Sequence, residues 1–298
     1  MKPDDATLPP NVHERVRKEA EKALRDAGAL GVFPTPVADI LAAAKLVEAD
    51  EDLAEEGLLV RLRRRASGAL KKAVSKVIGL FHASTRLIFI DRSLAPSKQT
   101  FVKLHETGHG LLPWQREMYA VVEDCQLSLD PGVADQFDRE ANVFASEVLF
   151  QLGGFISEAR DLEFGIRAPL KLSKKYGASA YASIREYVRK NPRPCAVLVL
   201  DPPQLIEGDG FVADLRRVEI SQSFSAACGR IDWQKRFTPD DPLGAMVPVA
   251  RRMTRKRQLL LVDVDGRRHE CLAEGFTQGF QVFILVLLTG ERTVKLVA

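Results

Sequence analysis

Apolar residues in the first half of the chain recur every three or four positions. Those in the last third form short runs between turn residues. Val12, Val16, Ala20, Ala23, Leu24 and Ala27 predict a helix over 11–27, closed by Gly28 and Gly31. Phe33-Pro34-Thr35-Pro36 reads as a turn in which Thr35 caps a second helix over 37–49, with Pro36 at its first position. Short strands come next at 80–82 and 87–91, where Leu87-Ile88-Phe89-Ile90 is strongly β-prone. Pro96 and the polar residues Ser97 to Thr100 open another helix, which carries Leu104, Leu111 and Leu112 on one side. Pro113 and Trp114 mark a break, and Asp130-Pro131-Gly132 a turn. A stripe of Phe137, Ala141, Phe144, Ala145, Val148, Leu149 and Leu152 predicts a helix over 135–152.

Residues 169–190 read as a helix, a turn at Gly177, a cap at Ser179 and a second helix. That is the spacing of a helix-turn-helix. Reading DNA, the second helix would set Arg185, Arg189 and Lys190 near phosphates, so residues 170–190 are the candidate DNA contact. The plainer alternative is a packed helical hairpin. Beyond Pro192 the pattern turns to strands at 195–200, within 211–224, and at 258–264, 269–273, 281–288 and 293–297. Asp265-Gly266 makes a hairpin turn between two of them. The expected fold is therefore α+β in three regions: a helix-rich domain over 1–155, a helix-turn-helix-like segment over 156–191 and a β-rich domain over 192–298.

Composition narrows the function classes. Lys+Arg number 43 and Asp+Glu 40, a net charge of +3, which does not by itself mark a nucleic-acid binder. Arg61, Arg63, Arg64 and Arg65 with Lys71, Lys72 and Lys76 make a basic run, read first as a solvated helix face and second as a surface for an acidic partner. Cys125, Cys195, Cys228 and Cys271 are scattered without a Cys-x-x-Cys pair and read as reduced structural thiols of a cytoplasmic protein. The first residues show no signal-peptide pattern, and the longest apolar run, 282–288, is too short to span a bilayer, so no membrane partner is expected. His269 stands alone and reads as structural.

The chemistry lies in His105-Glu106-Thr107-Gly108-His109. Residues four apart stack on one helix face, so His105 and His109 can offer two imidazoles to one ion while Glu106 reaches a water beside it. Zinc takes such nitrogens, a third protein ligand and an open position for water. Gly108 leaves room for another element to approach closely. The helix over 135–152 is expected to bring the third ligand. Two acids compete, Asp138 and Glu140; two residues apart, they lie about 200° round a helix and cannot both face one metal.

These motifs carry a resemblance. His105-Glu106-Thr107-Gly108-His109, with Asp138-Arg139-Glu140-Ala141-Asn142-Val143-Phe144-Ala145 downstream, resembles the ImmA/IrrE family of zincin-like metallopeptidases. Phe33-Pro34-Thr35-Pro36-Val37 and Arg86-Leu87-Ile88-Phe89-Ile90 fit the same pattern, so the resemblance covers about the first half of the chain. It implies that the acid three residues before the Ala-Asn pair completes the zinc site. That acid is usually glutamate, and the position here holds Asp138. It also implies one Zn2+ per chain, although occupancy depends on affinity order and another divalent metal would fit. The implied substrate is a protein, a small helix-turn-helix transcriptional repressor of a stress, prophage or toxin–antitoxin system, and the β-rich region is expected to be sensory. The competing expectation is a DNA-binding or repressor-binding regulator with a structural or sensory metal and no proteolysis.

Overall fold

A computed structural model of the chain describes residues 5–49, 79–125, 129–206 and 210–291. The basic run at 61–76 and the strand expected at 293–297 lie outside the described residues. The architecture is α+β. The chain divides into two compact units, Met1–Phe155 with Ser173–Ser179, and Ile156–Leu172 with Ala180–Ala298.

The first unit is helical around a small sheet. Helix α1 (Pro10–Asp26) buries Val16, Ala20, Ala23 and Leu24, as its spacing predicts, and packs on α5 (Pro131–Leu149). Helix α2 (Val37–Ala43) is shorter than expected. Lys45 turns to a positive φ of 54°, and Val47–Glu48 becomes strand β1, parallel to Leu87–Ile88. Sheet pairing outweighs the helical spacing there. Thr35 does not cap α2; its hydroxyl donates to the Leu149 carbonyl and accepts from Gln151. The sheet order is β1-β3-β2, with β2 (Gly79–His82) antiparallel to β3 (Leu87–Ile90). Helix α3 (Pro96–Leu111) contacts both β2 and β3, and Ala95, not a serine or threonine, precedes it. Pro113 does not end the helical region: it opens α4 (Pro113–Cys125). Asp130 is likewise an N-cap rather than a free turn, accepting from the Gly132 and Val133 amides at the start of α5.

In the second unit, β4 (Cys195–Leu200), β5 (Gln204–Ile206), β6 (Gly210–Ile220), β8 (Arg257–Val262), β9 (Arg268–Thr277) and β10 (Val282–Glu291) form an antiparallel sheet in the order β5-β6-β4-β10-β9-β8. The short strand β7 (Arg236–Phe237) pairs with β6. Every residue of β4 is buried, because both faces of this central strand are covered. On one face Leu198, Ile284 and Val286 pack with Phe224 of α9 (Gln222–Cys228), Phe237 and Met246. Helices α6 (Gly154–Arg160) and α7 (Arg167–Tyr176) precede α8 (Ala180–Arg189), and α8 packs on β4 and β6.

That packing corrects the phosphate reading of α8. Residues Ser183 to Val188 are buried, Arg185 bonds Glu219 at 2.6 Å, Arg189 lies 3.5 Å from the same carboxylate, and Lys190 is 2.8 Å from Glu186. The charges expected at phosphates are spent inside the fold, and the helix is a sheet cover. Cys195, Cys228 and Cys271 are free and buried, as expected of structural thiols.

Candidate metal centre

Helix α3 meets three neighbours at close range, and its small residues allow it. A Cβ on Gly108 would stand 3.3 Å from the Ala141 Cα and 3.2 Å from Phe144 of α5. One on Gly110 would stand 3.1 Å from Leu46 and 3.2 Å from Phe81 of β2. The two glycines thus draw α5 and the sheet against the histidine-bearing helix.

The approach brings Asp138 to the histidines. His105 Nε2 and His109 Nε2 are 3.1 Å apart, and Asp138 Oδ1 lies 3.9 and 3.8 Å from them. The point equidistant from atoms at those spacings is about 2.1 Å from each, within the roughly 2.0–2.2 Å that zinc takes with imidazole nitrogen and carboxylate oxygen. His105, His109 and Asp138 can therefore hold a metal ion.

Both rings are turned by hydrogen bonds at their other nitrogens. His105 Nδ1 donates to Asn142 Oδ1 at 3.0 Å, and Asn142 Nδ2 donates to the Asp5 carbonyl at 2.9 Å. His109 Nδ1 donates to Gln115 Oε1 at 2.7 Å. Each Nε2 is thereby left with its lone pair toward the centre, as a metal-binding imidazole requires. Reading Pro113 as a break hides Gln115. The signal that reveals it is a proline at a helix start with Gln115 and Tyr119 beyond it, four apart on one face.

Glu140 lies elsewhere. It is fully buried and accepts from Trp114 Nε1 at 2.6 Å, Gln115 Nε2 at 2.7 Å and Gln136 Nε2 at 2.9 Å, with Arg15 3.7 Å away. Of the two competing acids, the structure brings Asp138 to the imidazoles and turns Glu140 to the far side of Gln115. It is the anchor of Gln115, not a neighbour of the Nε2 atoms.

Glu106 is 6% exposed and accepts from the Phe81 backbone N–H. The electrostatics show a centre short of positive charge. Burial and then the Asp138 charge push Glu106 up to about 8. Burial and then Asp135 push Asp138 up to about 6. Burial pulls His105 down to about 3, helped by His109, and His109 down to about 4. Neutral imidazoles facing a carboxylate whose ionisation is resisted are the surroundings a cation relieves.

Strand β3, which leads into the histidine-bearing helix, is paired on both sides. Among the described residues the sheet edge beside Glu106 is β2, whose Phe81 amide already points at that carboxylate.

No curated protein matches the chain. In overall fold it is similar to a Mycobacterium tuberculosis transcriptional regulator, at 16% identity and a TM-score of 0.51, covering 94% of this chain and 80% of that one. Residues 62–183, which include the two histidines, Glu106 and Asp138, match the M78 peptidase family model described as the IrrE N-terminal-like domain. The stretch around the helix that bears His105 and His109 is thus similar to the IrrE N-terminal-like domain of the M78 peptidase family.

Proposed function

We propose that the protein is a zinc-dependent endopeptidase in which His105, His109 and Asp138 hold the ion and Glu106 is the general base. The observation that carries this reading is the convergence of two imidazole nitrogens and one carboxylate oxygen at zinc-compatible spacing beside a second, buried carboxylate. A zinc ion held there supplies Lewis acidity, acidifying water and polarising a carbonyl.

The chain's own residues do the rest. Glu106 takes the proton of the attacking water and returns it to the leaving nitrogen, a transfer favoured by a carboxyl whose pKa is raised toward neutrality. Asn142 and Gln115 hold the imidazoles in the tautomer that presents Nε2. A substrate segment added along the outer edge of β2 would pass over Glu106, since the Phe81 amide on that edge already reaches its carboxylate. The half-exposed Asp138 lies on the open side.

The family match supports a peptidase, and the resemblance in sequence suggests a helix-turn-helix transcriptional repressor as the protein cleaved. The test pairs purified protein with candidate repressors and with a mixed peptide library, read by mass spectrometry. Glu106→Gln is expected to retain one zinc per chain and lose about 100- to 10,000-fold in cleavage rate. A variant that keeps its zinc and cuts as fast as wild type removes Glu106 from the mechanism.

A further inference from the structure

Tyr119 of α4 neither joins the ligand cluster nor orients a ligand through a hydrogen bond, yet it stands at the centre. Its ring meets the His109 imidazole edge-on, centroids 5.3 Å apart at 80°, and packs on Phe81 and Phe137 at 6.3 and 5.8 Å. Three neighbours therefore fix the ring. No hydrogen bond holds its hydroxyl among the described residues. Besides burial, the carboxylates that bear on that hydroxyl are those of Asp138 and Glu106.

A peptide carbonyl under attack gathers negative charge on its oxygen, and a placed donor is worth most at that moment. Other donors around the centre are already engaged. His105 Nδ1 is bound to Asn142, His109 Nδ1 to Gln115, Trp114 Nε1 to Glu140, and the Phe81 amide to Glu106. Glu106 as general base and Asp138 as ligand act in their ionised forms, which have no proton to donate. Among the described residues, the phenol is a neutral donor left uncommitted beside the cluster.

We propose that Tyr119 is a further catalytic residue, its hydroxyl donating a hydrogen bond to the scissile carbonyl oxygen as that oxygen becomes negative. The assignment rests on the peptidase reading above. It differs from a packing role, in which the ring alone matters and phenylalanine would serve as well. It differs too from a positioning role, in which the hydroxyl would steady Asp138 and its loss would weaken metal binding.

The test uses the full-length, zinc-loaded protein and a mixed-sequence peptide library. Tyr119→Phe is expected to cut kcat about 100- to 1,000-fold with KM nearly unchanged, while zinc stoichiometry, zinc affinity by chelator competition and thermal midpoint stay at wild-type values. The phosphinate isostere of the fastest-cleaved peptide, which carries a tetrahedral oxyanion, should bind Tyr119→Phe at least tenfold more weakly. A hydroxamate of the same peptide, taken as a chelating reference, should bind both proteins alike. Wild-type turnover by Tyr119→Phe overturns the assignment and leaves the peptidase standing. A parallel fall in zinc affinity overturns it in favour of positioning. If wild type cleaves nothing, or Glu106→Gln cleaves at the wild-type rate, the peptidase reading fails and this assignment falls with it.

Discussion

Each unit holds a grouping of histidine and aspartate, and the two are built to different ends. In the hairpin of the second unit, His269 Nε2 donates to Asp263 Oδ2 at 2.9 Å, and Asp263 Oδ1 accepts from the Asp265 and Arg267 amides. That carboxyl is held below its usual range, first by the His269 bond. In the metal centre, Asp138 stands 3.8 and 3.9 Å from its histidines, too far for a hydrogen bond, and its carboxyl is pushed up to about 6. One grouping completes its own electrostatics and closes a turn. The other leaves a gap of ionic size whose walls resist ionisation. Residue type does not separate structure from chemistry here; the unmet requirement for charge does.

Removing each aspartate in turn probes that difference most directly. Asp138→Ala should weaken zinc binding by more than the roughly 10- to 100-fold that loss of an outer partner costs, whereas Asp263→Ala should leave zinc affinity unchanged. Chelator competition reads both, and equal zinc affinities in the two variants would dissolve the distinction. Next in size, Gln115→Ala and Asn142→Ala should each lower zinc affinity about 10- to 100-fold, because each frees an imidazole to turn.

Glu140 extends the contrast to a third acid. Glu140→Ala removes the acceptor of three side-chain donors, the buried Gln115 amide among them, and should cost about 1–3 kcal/mol in urea unfolding while one zinc per chain is retained. Loss of the metal in that variant as complete as in Asp138→Ala would reinstate Glu140 as a ligand.

The smallest effects are in pH dependence, and they run in opposite directions. Asp263 has a depressed folded pKa, so its contribution is present above its unfolded pKa and is lost as pH falls through the folded one. Asp263→Asn should flatten that acid-side loss. Glu106 has a raised pKa, near 8 against 4.5. Between those values the folded state binds the extra proton, so metal-free stability should decline as pH rises. Above the ordinary histidine range, from about pH 6.5 to 8, the depressed His105 and His109 no longer oppose that slope. Urea midpoints of the metal-free protein should fall across that interval, and Glu106→Gln should remove the fall.

Much of the first unit is legible from local pattern. The spacing of Val16, Ala20, Ala23 and Leu24 gives α1 its buried face, and the stripe from Phe137 to Leu149 gives α5. His105 and His109 share a face by helix geometry alone, and Gly108 announces a close neighbour, which the structure identifies as Ala141 and Phe144. The Asp265-Gly266 turn is equally plain, since Gly266 adopts the positive φ it requires. Residues 45–48 depart from their helical spacing, which yields to pairing with β3, a partner some forty residues away. The role of helix α8 departs from its pattern for the same kind of reason: Glu219, which takes up Arg185 and Arg189, comes from a strand no local pattern connects to it.

By itself, the chain determined the features set by periods of two and 3.6 residues and by backbone freedom: most helices and strands, the shared face of two imidazoles and the glycine beside them. Tertiary structure alone decided which acid turns to the imidazoles, that Gln115 and Asn142 orient the rings, that Glu140 serves Gln115, and that Tyr119 stands over His109. Those outcomes depend on how α3, α4 and α5 are rotated about their own axes. That rotation is fixed by packing among all three helices, a sum over distant contacts that no single stretch of sequence contains.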